Sequence, residues 1–203
     1  MGRFNAFRNE FASIVDAGGN DTLSFGSTAV TGDLDFSKLS EFENLNLSSA
    51  NDNLTISGDE PTNINGLDGN DTFSLDFSSI RNLNGGANTD TVKLTGNTGS
   101  NISSDTDFTP NSTFTNIERL DISGLNLNTN DNNTEFNFTE AMLNVWTGSD
   151  TGSLTLSLTS SQVEKIKFTD SSSVVHDTSS TITDNASYTI GNNTLTIDII
   201  DVP

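Results

Sequence analysis

The chain has 203 residues, no cysteine, and a net charge of −20, with only eight Lys and Arg against 28 Asp and Glu. That is long enough for one large or two small domains with a real core. The charge excludes nucleic acid and anionic membrane surfaces as partners, because phosphate binding needs a basic face. The absence of cysteine excludes a disulfide scaffold. A metal cation is the natural partner of so acidic a chain. No apolar run reaches the length of a membrane span. Met1-Gly2-Arg3-Phe4 is followed by polar residues rather than an apolar signal-peptide core; if the protein is exported, its signal lies elsewhere, the C-terminal end being one candidate.

Residues 1–15 place Phe4, Phe7, Phe11, Ile14 and Val15 at roughly helical spacing. They are expected to plug an open end of the fold; the alternative is the tail of an upstream repeat. Ile14–Phe25 then matches Ile64–Leu75 at an offset of fifty, with Gly19-Asn20-Asp21-Thr22 identical to Gly69-Asn70-Asp71-Thr72. This predicts an earlier repeat of the same kind, in which Asp21 corresponds to Asp52. The spacing of 31 residues between them would hold one repeat and a twelve-residue insertion around Gly32–Glu41.

From residue 44 a frame of nineteen residues governs the chain. Asn44-Leu45-Asn46, Asn63-Ile64-Asn65 and Asn82-Leu83-Asn84 fall in it, as do Asp52, Asp71 and Asp90, and Leu54, Phe73 and Val92. A repeat near twenty residues predicts a solenoid, with one coil per repeat and a shared core. Alternation such as Leu54-Thr55-Ile56 marks strands with one inward face. Mix and period together predict an all-β protein: a right-handed parallel β-solenoid of the β-roll or β-helix type, about nineteen residues per coil. The two Asn columns are expected to form hydrogen-bonded ladders. Asn101-Ile102 would start a fourth coil, and the pattern fails at Pro110.

Residues 1–115 are thus read as the solenoid and 116–203 as a β-rich continuation or cap. Strands are predicted at 117–122, 134–138, 153–158, 163–168, 187–190 and 194–200, the last two forming a hairpin at Gly191-Asn192-Asn193. Thr139–Leu143 is predicted to form one helical turn.

The carboxylate column carries the chemistry. Neighbouring strands lie about 4.8 Å apart. Stacked aspartates at about 5 Å repel by roughly 3 kcal/mol at an effective dielectric near 20, and a divalent cation between them would reverse the sign. Gly66-Leu67-Asp68-Gly69-Asn70-Asp71-Thr72-Phe73 and Gly85-Gly86-Ala87-Asn88-Thr89-Asp90-Thr91-Val92 resemble the RTX nonapeptide G-G-x-G-x-D-x-U-x, with Leu67 and Asn88 standing where glycines are expected. Ala17–Leu23 and Ser49–Leu54 are weaker copies. The resemblance implies calcium, a hard cation that takes six to eight oxygens from carboxylates and turn carbonyls. The candidate ligands are Asp21, Asp52, Asp68, Asn70, Asp71, Asn88 and Asp90. Only one edge of each coil carries the motif, so one row of ions is expected where RTX rolls have two. The competing reading is that Asn-Asp-Thr is a solvated Asx-turn.

No catalytic constellation stands out. His176, the one histidine, lies in a polar run and reads as a surface residue, and no zinc set exists. Trp146 and Tyr188 read as core or hairpin packing rather than a sugar platform. The stretch from Asn116-Ile117-Glu118-Arg119-Leu120-Asp121 to Tyr188-Thr189 and Thr194-Leu195-Thr196-Ile197-Asp198 resembles the ends of bacterial proteins exported by type I secretion, RTX adhesins and some S-layer proteins among them. That resemblance implies an uncleaved C-terminal export signal, an extracellular or cell-surface destination, and folding coupled to external calcium. The expected function is a non-enzymatic calcium-binding structural module of a bacterial surface adhesin. Alternatives are an S-layer lattice module, with protein or glycan neighbours, and a polysaccharide-acting β-helix enzyme, which the scarcity of Arg and Lys disfavours. An ice-binding face is a further option, hinted at by Thr155 and Thr159 or Thr194 and Thr196, but those rows are short.

Overall fold

The computed structural model describes residues 18–38, 42–58, 63–76, 82–97, 114–126, 136–149, 151–177 and 180–200. The expected N-terminal plug, residues 1–15, lies outside them. The protein is all-β, with one short helix and two 3-10 turns among the described residues. In chain order the strands are β1 (Thr22–Ser24), β2 (Thr31–Asp35), β3 (Asn44–Asn46), β4 (Asn53–Ser57), β5 (Asn63–Asn65), β6 (Thr72–Asp76), β7 (Asn82–Asn84), β8 (Thr91–Asn97), β9 (Phe114–Thr115), β10 (Arg119–Asn126), β11 (Phe136–Phe138), β12 (Ser153–Leu158), β13 (Ile166–Thr169), β14 (Val175–His176), β15 (Ser187–Ile190) and β16 (Asn193–Ile199).

Through β10 the odd strands form a short parallel sheet, β1-β3-β5-β7-β9. The even strands enter a longer one, ordered β15-β16-β12-β10-β8-β6-β4-β2. The chain therefore alternates between two sheets. Every sequential pair in the repeat is in the register the nineteen-residue frame predicts: Leu45↔Ile64↔Leu83 in the short sheet, Leu54↔Phe73↔Val92 in the long one. Those residues are at most 3 % exposed and belong to one apolar cluster drawn from both sheets. Each buried Leu, Ile or Phe removes enough apolar surface from water to contribute about 2 kcal/mol before the entropy of ordering is counted. The Asn ladders form as expected: the Asn63 amide donates to Asn44, Asn82 to Asn63, and Asn84 to Asn65.

Three expectations are corrected. Thr22 pairs with Asn44 and Thr31 with Asn53, a step of 22 residues in each case. The first repeat therefore begins at Thr22, in the short sheet, whereas the identical Gly-Asn-Asp-Thr at 69–72 leads into the long sheet. Spacing decides between them. Nine residues separate Thr22 from Thr31, as they do Asn44 from Asn53 and Asn63 from Thr72. The surplus is then three residues, in the arc after Asp35 where Phe36–Lys38 make a 3-10 turn, not twelve. Second, the strand that follows β7 in the short sheet is Phe114–Thr115, with Leu83 opposite Phe114. Asn101-Ile102 lies outside the described residues. Third, Ser160–Lys165 is a 3-10 helix, and the strand predicted at 163–168 starts only at Ile166. At its start the Gln162 side-chain oxygen accepts from the Thr159 backbone amide, and the buried Gln162 side-chain nitrogen donates to the carbonyls of Ile122 and Leu125.

The long sheet continues past residue 116 without a break, through β10, β12 and β16, all parallel. It ends in the antiparallel β15–β16 hairpin, where Ile190 faces Asn193 across Gly191-Asn192, the expected turn. The helix α1 (Glu140–Trp146) is longer than the single turn expected. Thr139 caps it through a hydroxyl that accepts from the Met142 amide. Leu143 and Trp146 carry it into the core, with Trp146 meeting Phe114 and Phe138. β11, β13 and β14 form a small third sheet.

A buried carboxylate column as candidate cation site

Asp52, Asp71 and Asp90 each stand one residue before a strand of the long sheet, and each is at most 1 % exposed. Their side chains do not point into solvent. The amide of Asp52 donates to Asp71 Oδ1 at 2.8 Å, and the amide of Asp71 donates to Asp90 Oδ1 at 2.8 Å. The same bond is repeated at both ends: Val30 donates to Asp52 Oδ1 at 2.5 Å, and Asp90 to Glu118 Oε2 at 2.8 Å. Each carboxylate thus caps the backbone of the neighbouring repeat. The carbonyls in the column are also bonded, those of Val30, Asp52, Asp71 and Asp90 accepting from Asn53, Thr72, Thr91 and Arg119. The amides and carbonyls of these four residues are therefore all satisfied, as buried backbone groups must be.

The second oxygens differ. In Asp52, Oδ2 accepts the Ser48 amide and Oδ1 accepts the Ser48 hydroxyl, both at 2.8 Å, so the carboxylate is fully used. In the next two repeats no serine stands there. Asp71 Oδ2 and Asp90 Oδ2 are buried and have no hydrogen-bond partner. Both face a glycine. A Cβ on Gly66 would lie 2.5 Å from Asp71 Oδ2 and would collide with the Gly85 carbonyl oxygen. A Cβ on Gly85 would lie 2.6 Å from Asp90 Oδ2 and would collide with the Asn116 carbonyl oxygen. Each orphaned carboxylate oxygen therefore shares a side-chain-free cradle with a backbone carbonyl of the following repeat.

Burial without full compensation raises both acids. Asp71 is pushed up to about 7, mainly by burial, with the Asp52 amide opposing and the Asp52 and Asp90 charges adding. Asp90 is pushed up to about 6 by burial, opposed by the Asp71 amide and reinforced by the Glu118 charge. Near neutral pH these two groups need a counter-charge, either a proton or a cation.

The other predicted ligands are placed differently. Asp21 precedes the short sheet, at the opposite turn from Asp52, and its amide donates to Glu43 Oε2. Its expected place in the column is taken by Val30, whose side chain carries no acceptor. Asp68 is exposed, with its backbone bridged to Ala87. Asn70 spends its side-chain oxygen on the Thr89 amide, and its own backbone amide donates to the Asn51 side chain. Asn88 is exposed at φ 87°, one repeat after Gly69 at φ 126°. Leu67 at φ 73° likewise precedes Gly86 at φ 109° by one repeat, so the two nonapeptide-like turns share one backbone shape despite both departures from glycine. Of the seven candidates, Asp71 and Asp90 fit a cation: each puts a buried carboxylate oxygen and a backbone carbonyl in one glycine cradle, whereas Asp21 Oδ2, buried too, lies by Gly19, where the nearest atoms to an added Cβ are those of its own carboxylate. Asp52 does not, because both oxygens are committed. Among the described residues no three His, Cys, Asp or Glu cluster in the manner of a ligand set.

Glu118 is the member that sequence reading missed. Its signal was present: Glu118-Arg-Leu-Asp-Ile repeats the acid-x-apolar-x-apolar order of Asp71-Thr-Phe-Ser-Leu. The long stretch between β8 and β9 hid the frame. Comparison with protein-family models, with curated proteins and with solved structures finds no match.

Proposed function

We propose that the chain is a structural module, a β-solenoid whose coils are the alternating strand pairs, and that calcium neutralises its carboxylate column at Asp71 and Asp90. The observation that carries this reading is the pair of buried, partnerless carboxylate oxygens, each opposite a backbone carbonyl in a glycine cradle. A buried ionised oxygen without a partner costs several kcal/mol, and folds retain one only where something offsets it. Calcium bound there would supply positive charge that turns repulsion between neighbouring repeats into attraction. The protein's own part is to hold one oxygen of each aspartate on a backbone amide and leave the other free. Glycine at 66 and 85 keeps the carbonyl in reach.

The rest of the proposal rests on likeness in sequence. Residues 116–203 resemble the ends of type I-secreted proteins; on that reading the module belongs to an adhesin at a bacterial cell surface, with folding driven by external calcium. An acidic chain with such a column would be less stable where calcium is scarce and would gain stability where it is abundant.

The test is thermal melting followed by circular dichroism in excess calcium and in chelator, at matched ionic strength. Calcium is expected to raise the melting temperature of the natural chain, and to raise it little in Asp71→Asn/Asp90→Asn. Equal melting temperatures in calcium and chelator for the natural chain overturn the cation reading and leave the proton as the column's counter-charge. Export is tested separately by fusing residues 116–203 to a passenger in a type I secreting cell; retention of the passenger inside refutes it.

A further inference from the structure

His176 is the only histidine in the chain, and it is buried, 8 % exposed, rather than at the surface as its polar neighbours suggest. Its Nδ1 lies 2.8 Å from the Thr181 carbonyl oxygen and its Nε2 lies 2.9 Å from Asp170 Oδ2. A backbone carbonyl can only accept, and so can an ionised carboxylate. The Thr181 carbonyl also accepts the Tyr188 hydroxyl at 3.0 Å. Asp170 is held as the carboxylate: Oδ1 accepts the amides of Ser172 and Val174 at 2.9 and 3.0 Å, and Oδ2 takes the ring nitrogen. Both ring nitrogens therefore face acceptors, and only an imidazole protonated at both can satisfy them. A neutral ring of either tautomer would set one bare nitrogen against an oxygen lone pair.

The rest of the pocket suits a cation. Phe168 stacks on the ring with centroids 4.8 Å apart at 16°, and Tyr188 meets it at 4.5 Å and 62°. Aromatic faces attract a desolvated cation. The four contacts come from four places: Phe168 from β13, Asp170 from the turn after it, Thr181 from the segment before the last hairpin, and Tyr188 from β15. One ring thus joins the small third sheet to the edge strand of the long sheet.

We propose that His176 is a protonation-dependent clasp, closed while its ring carries both protons and released when it loses one, so that the C-terminal end of the long sheet is covered or uncovered with pH. The ionisable groups that meet the ring are Asp170 and Tyr188. Asp177, next in the chain, is exposed, and Asp184 directs its carboxylate to the backbone amide of Ile199 and the side-chain amide of Asn185. The sign follows. The bonds need His176 protonated, so their contribution is lost as pH rises and the ring gives up a proton. They need Asp170 ionised, so it is also lost in strong acid. Opening is local, because the bonds tie down the segments 170–177 and 180–190 and not the repeat.

A single histidine makes the test direct. In a nitrogen-15 spectrum of the folded natural chain near neutral pH, both ring nitrogens of His176 are expected to carry hydrogen; one bare ring nitrogen in the folded chain overturns the proposal. Amide hydrogen exchange then reads the clasp. Residues 170–177 and 180–190 are expected to open at least tenfold more readily at alkaline than at neutral pH, relative to residues 153–158 in the same sample, and the pH dependence is expected to vanish in His176→Gln. The same pH profile in His176→Gln refutes the clasp. If that variant fails to fold, the spectrum of the natural chain decides alone.

Discussion

The repeat at 44–97 and the C-terminal strands at 153–199 solve the same problem with different chemistry. Each must find an acceptor for a buried backbone amide just before a strand of the long sheet. In the repeat the acceptor is a carboxylate: Asp71 for the Asp52 amide, Asp90 for the Asp71 amide. In the C-terminal strands it is the neutral amide of Asn193, whose side-chain oxygen accepts from Gly152 at 2.8 Å, while its nitrogen donates to Asn144. Asn193 is as buried as Asp90 and is fully satisfied. Capping the neighbouring strand therefore does not require a charge. In the repeat the charged version leaves an oxygen orphaned twice, and that surplus asks for a purpose beyond capping.

The sharpest way to break the comparison is to make the repeat resemble the C-terminal strands. Asp71→Asn with Asp90→Asn keeps the capping oxygen and adds an amide nitrogen opposite the Gly85 and Asn116 carbonyls. In chelator at pH 8 the double variant is expected to be more stable than the natural chain by on the order of 7 kcal/mol, since Asp71 is raised from 3.8 to about 7 and Asp90 from 3.8 to about 6, and each pKa unit is worth about 1.4 kcal/mol of ionisation cost. In calcium that advantage should shrink or reverse. Urea midpoints in the two conditions measure it, and a double variant that is less stable in both contradicts a charge penalty.

Next in size is pH. Asp71 at about 7 and Asp90 at about 6 stand above the ordinary aspartate value of 3.8. Between those limits the folded chain binds more protons than the unfolded chain, so stability falls as pH rises. The penalty is absent below about pH 4 and complete above about pH 8. In chelator a loss on the order of 4 kcal/mol is expected from pH 5 to pH 8. Calcium should flatten the curve by taking the place of the protons. A curve that rises across this window would mean the acids are paired.

The converse substitution, Asn193→Asp, gives the C-terminal strands a buried carboxylate without a glycine cradle and removes the donor to Asn144. A loss of about 2 kcal/mol is expected at pH 8, with no recovery in calcium. Recovery in calcium would show that any buried carboxylate here recruits a cation, and that Gly66 and Gly85 are not what selects it. The smallest effect is in the turns. Leu67 holds φ 73° where its counterpart Gly86 holds φ 109°. Leu67→Gly should stabilise by about 1 kcal/mol, by removing left-handed strain that exceeds glycine's added chain entropy. The reverse, Gly86→Leu, should be far worse, because its Cβ would meet the Leu67 carbonyl of the preceding repeat.

Much of the fold was legible in the sequence because stacking imposes a constant step. Once Asn44, Asn63 and Asn82 share a frame, the apolar columns follow from strand alternation, and the register agrees residue for residue. Asp21 was misplaced because Gly19-Asn20-Asp21-Thr22 matches a later turn letter for letter, and a local match does not say which sheet the next strand enters. Glu118 was hidden by a change of step, and His176 by partners scattered from Phe168 to Tyr188 in segments without a repeat.

What the sequence determined by itself is the step, the inward apolar columns and the one aspartate per repeat, since these depend only on period and side-chain type. Tertiary structure decided where the carboxylates point. An aspartate before a strand can turn to solvent or reach the next repeat. Here the amide that must be satisfied belongs to the neighbouring repeat, so the side chain turns inward, one oxygen is consumed, and the other is left buried to await a proton or a cation.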